Sequence, residues 1–202
     1  CLVGSEMCIR DRYLNKQFFF EKPPLYFWGE CLSFAFWGRV TEFTARFPVA
    51  LDGMLCCFTV YFLGKRIISR GYGVVSSLIF ATSLEFLILA KFAILDIVVA
   101  TCIGFSLCFG IFTNFCQEKH KKYCWWLFYI FSGLAVMAKG IPGFVIPFGS
   151  MFFISLYSKN FKEIFKPLYF IPGIILFLLI TLPWHIICLL YTSPSPRDRQ
   201  KS

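Results

Sequence analysis

The chain has 202 residues, of which 58% are hydrophobic and only 15% are charged, and its mean hydropathy is +0.70. Soluble globular domains carry about 25% charged residues, so this composition excludes them and indicates an integral membrane protein in contact with lipids. The formal charge of +9 does not indicate a nucleic-acid partner, because basic residues of membrane proteins mark cytoplasmic loops and no basic stretch here is interleaved with surface aromatics.

The two ends of the chain are predicted to be translated sequencing adapter. Residues 188–193 and residues 7–11 can be encoded by the two strands of one DNA sequence. The reverse complement of a possible coding sequence for residues 188–193 contains, in another reading frame, a possible coding sequence for residues 7–11. A single transposon-type adapter read in opposite senses explains both peptides, and such scars are excluded from fold reasoning. We therefore expect residues 1–12 and 188–202 to be non-native and residues 13–187 to form one transmembrane domain. The alternative is that both ends are natural tails.

The first predicted element is an aromatic helix over residues 24–37, which ends at Gly38. Pro23 and Pro24 suit its first turn, where a missing N–H costs nothing. The helix is too short to cross a bilayer, so we expect it to lie at the membrane interface or to enter the membrane obliquely.

Six apolar segments follow, each long enough or nearly long enough to cross a bilayer, which takes about 20 helical residues. They run over residues 47–63, 73–90, 94–115, 123–138, 141–157 and 168–187. The predicted fold is therefore an all-α integral membrane protein with about six transmembrane helices and one interfacial helix.

Basic residues are concentrated in every second connection between these segments. Residues 64–70, 117–122 and 158–166 hold nine Lys or Arg against two acids, and the positive-inside rule places connections of this kind in the cytoplasm. The opposite side collects ionisable residues at predicted helix ends, where we expect them to converge: Glu21, Lys22, Glu42, Arg46, Lys91, Asp96, Lys139 and His185.

Five short patterns lie on that opposite side: FEKPPLYFW, EFTARFPVAL, LAKFAILD, AVMAKGIPG and LPWH. In this order and at these intervals they resemble polyprenol-dependent glycosyltransferases of the GT-C type, and above all the protein-mannosyltransferase-like group that includes lipid A aminoarabinose transferases. The resemblance covers residues 13–187 and implies the N-terminal part of a GT-C fold. It also implies transfer of a sugar from a polyprenyl-phosphate-linked donor to a lipid or protein acceptor, on the extracytoplasmic side of a bacterial-type inner membrane.

The resemblance also implies roles for five residues. Lys22 matches the lysine that contacts the lipid phosphate, and Arg46 and Lys139 are assigned to the same donor-binding end. Asp96 matches an acid of the third extracytoplasmic motif and is the catalytic candidate. Glu21 matches an acid implicated in a divalent-metal site, the one cofactor expected. Cations suit a phosphate because charge-assisted contacts are strong where water is scarce, and a carboxylate suits general-base work on an acceptor hydroxyl.

Each of these roles has a structural alternative. For Glu21 and Lys22 the alternative is snorkelling at the interface, and for Asp96 it is capping of the following helix. For Arg46 it is an i,i+4 pair with Glu42. Interfacial anchoring is the alternative for three further residues: Lys91, Lys139 and His185.

One departure from the family pattern bears on activity. The family's presumed catalytic aspartate lies upstream of the Glu-Lys motif, where this chain has adapter-like residues, so Asp11 is not assigned that role. We therefore expect the full-length protein to be the enzyme and this chain alone to be inactive. The main rival interpretation is a transporter or flippase fragment for a polar or lipid-linked substrate, and a structural membrane subunit is the second.

Overall fold

The computed structural model describes residues 13–14, 17–18, 24–91, 95–158 and 167–192. A two-residue antiparallel ribbon comes first, with β1 (Tyr13–Leu14) paired to β2 (Gln17–Phe18). The other elements of the described residues are helical: α1 Leu25–Trp37, α2 Glu42–Ile67, α3 Arg70–Thr82, α4 Leu84–Lys91, α5 Leu95–Phe112, a 3₁₀ turn Thr113–Phe115, α6 Glu118–Lys139, α7 Ile141–Ser158 and α8 Pro167–Thr192.

Three helical stretches of the described residues are long and apolar enough to cross a membrane: Glu42–Ile67, Leu95–Phe115 and Phe170–Ile187. Only 22%, 44% and 11% of their most apolar windows are buried within the protein. The remaining apolar surface suits hydrocarbon, because water would penalise so much exposed apolar area. The prediction of an all-α integral membrane fold is confirmed, and the chain is a multi-pass membrane protein.

The number of clear spans is smaller than the six expected. The segment 73–90 is divided at Ser83 into α3 and α4, which are bent by 66° relative to each other. The Ser83 amide and hydroxyl both donate to the Phe80 carbonyl, at 3.2 and 2.8 Å, and so satisfy the end of α3 locally. Counting this bent pair as one span gives four in the described residues. Two predicted segments form shorter or more polar helices: α7, whose apolar part is Ile141–Tyr157, and α6, which begins among lysines.

The interior of the bundle forms where α2, α5 and α6 meet. Val49, Ile97 and Ala135 are almost fully buried there. Hydroxyl groups also link these helices: Thr101 donates to the Asp52 carbonyl at 2.9 Å, and the Ser106 and Ser132 hydroxyls are 2.8 Å apart. Such small polar contacts are typical of packing between membrane helices. A second cluster, around Trp125, Phe128, Tyr129 and Met151, lies among α6, α7 and α8.

The helices define two ends of the bundle. At one end, termed the basic end, the α2–α3 and α5–α6 turns meet: Arg66 donates to the Phe115 carbonyl at 3.1 Å, and its guanidinium lies 5.0 Å from the Phe115 ring centroid. The other end, termed the site end, holds the starts of α2 and α5 and the ends of α6 and α8. There α1 contacts α8 through Trp28 and Trp184, whose ring centroids are 6.4 Å apart. This arrangement agrees with the charge alternation for the first two basic connections.

Candidate functional site

An ion pair between Asp96 and Lys139 lies at the site end. Asp96 is in the first turn of α5, where the partial positive charge of the helix N-terminus stabilises a carboxylate. Lys139 is the last residue of α6, where the opposite partial charge favours a cation. Lys139 Nζ donates directly to Asp96 Oδ1, with side chains 48% and 39% exposed respectively. Two predicted site residues that are 43 positions apart are therefore in contact and accessible to a ligand.

A tight turn fixes the backbone of Lys139. Gly140 has a φ of 77°, in the left-handed region that favours glycine, and its amide donates to the Val136 carbonyl at 2.7 Å. Gly143 then packs directly on α6, because a Cβ at this position would lie 2.3 Å from the carbonyl carbon of Ala135. The Lys-Gly-Ile-Pro-Gly stretch thus joins α6 to α7 closely and holds the lysine in place.

Capping is not the only role of Asp96, because its carboxylate contacts Lys139. The alternative that we gave for Arg46 is wrong in the described residues, where Arg46 and Glu42 form no ion pair. Arg46 is exposed near the start of α2 and forms no ion pair with Asp96. Arg46 is therefore at the site end without being part of the pair.

Side chains of α1 and of the preceding turn hold the start of α2. Thr41 and Thr44 form a reciprocal capping box, with the Thr41 amide donating to Thr44 Oγ1 at 2.9 Å. Ser33 of α1 donates to the Thr44 carbonyl at 2.6 Å. Because these contacts are buried or half-buried, the position of α1 relative to α2 is fixed.

Three predicted residues cannot be placed. Glu21 and Lys22 lie outside the described residues, as does the side chain of Lys91. Over residues 24–91, 95–158 and 167–192, no three His, Cys, Asp or Glu side chains come together as metal ligands. The metal site expected at Glu21 therefore stays a prediction.

The sequence predicts an interfacial position for His185, and the structure adds that this residue lies in a cleft at the site end. The cleft has a volume of about 320 Å³ and is lined mainly by apolar residues of α6, α7 and α8, with Gly140 and His185 both in its wall. His185 Nδ1 is 2.8 Å from the Thr181 carbonyl, which can only accept, so Nδ1 carries the proton. In the neutral ring Nε2 is then left as an acceptor. The LPWH pattern predicts that His185 lies near a helix end. It does not predict the cleft, which is formed by residues of three helices.

A second missed feature is the hydrogen bond between Tyr26 and Glu30, one turn apart on the interfacial helix α1. Burial raises the pKa of the Glu30 carboxyl above its ordinary value, and the hydrogen bond from Tyr26 acts in the opposite direction. Burial also raises the pKa of Tyr26, with the nearby Glu30 adding to the effect. The i,i+4 spacing in the sequence was the available signal for this pair.

Together, the helices and the charged pair define a multi-pass membrane protein with a polar site at one end. The family model described as dolichyl-phosphate-mannose-protein mannosyltransferase matches residues 13–193. The chain therefore belongs to this family, which confirms the resemblance to polyprenol-dependent glycosyltransferases.

Relatives of known sequence agree with this membership. An undecaprenyl phosphate-alpha-4-amino-4-deoxy-L-arabinose arabinosyl transferase 2 of Proteus mirabilis is 27% identical over 189 residues, covering 90% of this chain and 34% of the relative. An uncharacterized protein of Aquifex aeolicus is 33% identical over 166 residues, covering 82% of this chain and 32% of the relative. The chain thus spans about a third of the length of these relatives.

Solved structures show the same fold. Crystal structures of ArnT from Cupriavidus metallidurans, in the apo state and bound to undecaprenyl phosphate, both match with a TM-score of 0.81. The identities are 21% and 22%, and the matches cover 91% and 90% of this chain and 34% of the ArnT chain. The expectation that the chain has part of a GT-C fold is confirmed by these matches.

Proposed function

We propose that this chain is part of a membrane glycosyltransferase that moves a sugar from a polyprenyl-phosphate-linked donor to a lipid or protein acceptor. Family membership supports this reaction class, and the Proteus relative carries an undecaprenyl phosphate-linked sugar in its name. The observation that carries the proposal is the accessible Asp96–Lys139 pair at one end of a membrane bundle. A donor held in the membrane by its polyprenyl chain needs a cation for its phosphate close to the membrane, where ionisable residues are costly and usually functional.

The pair suits an exchange of partners during the reaction. An ion pair this exposed contributes about 0–1 kcal/mol, so a phosphate can take over Lys139 through stronger charge-assisted contacts. Asp96 is then free to accept the proton of an acceptor hydroxyl. The bond between the sugar carbon and the phosphate oxygen breaks, a bond to the acceptor oxygen forms, and Lys139 stabilises the negative charge left on the polyprenyl phosphate.

Three further roles rest on the family resemblance. Lys22 and Arg46 are proposed to complete the phosphate site, and Glu21 to bind a divalent ion. Residues 21–22 are followed by Pro23 and by Pro24, the N-cap of α1, and the buried Ser33–Thr44 contact fixes α1 on α2. This connectivity supports a position for Lys22 near the site end.

The proposed orientation follows from the charges. Arg66 and the lysines at the start of α6 share the basic end, which the positive-inside rule assigns to the cytoplasm. The site end then faces the extracytoplasmic side of a bacterial-type inner membrane. We further propose that the intact gene encodes the active enzyme and that the 202-residue chain alone transfers no sugar, since it spans about a third of its relatives.

Binding of undecaprenyl phosphate tests the donor part of this proposal. The protein expressed from its intact gene is titrated with undecaprenyl phosphate in detergent and analysed by native mass spectrometry. We expect Lys139→Met to weaken binding roughly tenfold, equivalent to about 1.4 kcal/mol. Lys119→Met, which removes an exposed lysine from the basic end, is the matched control and leaves binding unchanged. Equal affinities of the wild type and Lys139→Met would remove Lys139 from the phosphate site.

A further inference from the structure

Two free cysteines touch at the basic end, away from the proposed sugar-transfer site. Cys116 directly follows the 3₁₀ turn and Cys124 lies in the second turn of α6. Their Sγ atoms are 3.4 Å apart, and both residues are half-buried. Among the free cysteines of the described residues, no other two sulfurs are recorded in contact.

The distance between the two sulfurs is short enough for a covalent bond to form with little movement. A disulfide bond is about 2.0 Å long, so the sulfur atoms need to approach by about 1.4 Å. Rotation about the Cα–Cβ bonds can supply a shift of this size, whereas cysteines on distant helices would need backbone movement.

The surrounding contacts hold the turn that carries Cys116. Thr113 donates to the Gly110 carbonyl at 2.7 Å, and Arg66 of α2 binds both the carbonyl and the ring of Phe115. The pair is therefore pre-positioned by a fixed backbone.

From this geometry we propose that Cys116 and Cys124 form a dithiol–disulfide couple that exchanges with small-molecule disulfides such as glutathione disulfide. One cysteine thiolate attacks the disulfide and releases one glutathione thiolate, leaving a mixed disulfide on the protein. The second cysteine thiolate attacks this mixed disulfide and releases the second glutathione. Two protein thiols lose their protons and are oxidised to one disulfide, while glutathione disulfide is reduced to two glutathiones.

The two cysteines are free in this structure, so the couple is a site of reversible oxidation and not a permanent structural disulfide. If the basic end faces the cytoplasm, glutathione keeps the pair reduced at rest, and oxidation occurs when the thiol pool becomes more oxidising. The resulting bond would tie the α5–α6 turn to the first two turns of α6. This inference requires neither donor binding nor sugar transfer.

Differential thiol labelling tests the couple. The purified protein, in detergent, is equilibrated with mixtures of oxidised and reduced glutathione, and free thiols are blocked with N-ethylmaleimide. The remaining thiols are reduced and labelled with a second maleimide, and the peptides are analysed by mass spectrometry. We expect Cys116 and Cys124 to become oxidised to the same extent at each mixture, and the unreduced digest to contain their cross-linked peptide.

Single substitutions separate the couple from general cysteine oxidation. Cys116→Ser abolishes the cross-link, so that Cys124 carries at most one glutathione, and Cys57→Ser, at a half-buried cysteine of α2, leaves the cross-link intact. Oxidation of the two cysteines to different extents, or oxidation of Cys57 while the pair stays reduced, would overturn the proposal. The wild-type cross-link decides the question even if Cys116→Ser fails to fold.

Discussion

At the scale of single residues, the Asp96–Lys139 pair joins a fixed backbone to exposed side chains. The Gly140 turn and the first turn of α5 position the two charges, while their exposure keeps the mutual attraction weak. Both residues were predictable, because charge alternation put them on one side and motif order put them at helix ends. The position of His185 in a cleft and the burial of Glu30 were not predictable, since both depend on packing between distant segments.

The weakness of the pair is measurable. In a double-mutant cycle of Asp96→Asn and Lys139→Met, we expect each single change to alter the free energy of unfolding by less than about 1 kcal/mol, with a coupling energy in the same range. Denaturant unfolding of the detergent-solubilised protein provides the values. A coupling of several kcal/mol would show that the pair is structural and that a phosphate could not displace Asp96.

The raised pKa of Glu30 predicts a pH dependence of stability. Because the folded state binds this proton more tightly than the unfolded state, the free energy of unfolding falls as pH rises from the ordinary value of 4.5 through the folded pKa. Glu30→Gln removes this loss and keeps an acceptor for Tyr26, so we expect it to be more stable than the wild type at pH 7. Thermal unfolding of both proteins from pH 4 to pH 8 measures the difference. Parallel curves for the two proteins would contradict the assignment.

At the scale of elements, the α6–α7 hairpin was predictable and the α3–α4 break was not. Lys-Gly-Ile-Pro-Gly places a turn glycine directly after one helix and a proline at the start of the next, which is a strong local signal. The residues around Ser83 are mostly apolar on both sides, apart from Thr82 and Glu85, and include no Gly or Pro. The apolar segment therefore continues without a clear interruption across the 66° bend. The bend is visible only in the packed structure.

The hairpin gives a matched pair of substitutions in one helix. Gly143→Ala places a Cβ against the α6 backbone, and we expect it to lower the free energy of unfolding by about 1–3 kcal/mol. Gly149→Ala meets nothing within 4 Å and should stabilise the protein by about 0.5–1 kcal/mol through helix propensity. Equal effects of the two substitutions in denaturant unfolding would show that α7 does not pack on α6 at Gly143.

At the scale of the whole molecule, the basic connections lie at one end of the bundle and the Asp96–Lys139 pair lies at the other. The six apolar segments predicted the helical content well, because length and apolar composition are local properties of a sequence. Which of these segments form clear spans, a broken span or shorter helices depends on packing. It also depends on charged residues at helix starts, as in α6. The common end of Asp96 and Lys139 followed from topology alone, but the contact between them needed the three-dimensional structure.

The orientation of the two ends can be tested in intact cells. We expect Val40→Cys, at the exposed turn before α2, to react with a membrane-impermeant maleimide above the wild-type background. Lys119→Cys, exposed at the basic end, should react only after the cells are opened. The reverse pattern would place the Asp96–Lys139 pair in the cytoplasm.

Sugar transfer by the protein expressed from its intact gene tests the central claim most directly. The reconstituted protein is given a radiolabelled polyprenyl-phosphate sugar and membrane lipid or protein acceptors, and covalently labelled product is measured. We predict transfer by the wild type, with at least tenfold lower rates for Asp96→Asn and Lys139→Met, and an unchanged rate for Lys119→Met. Movement of the intact donor across the membrane without labelled product, or full transfer by both site variants, would contradict a glycosyltransferase site at this pair.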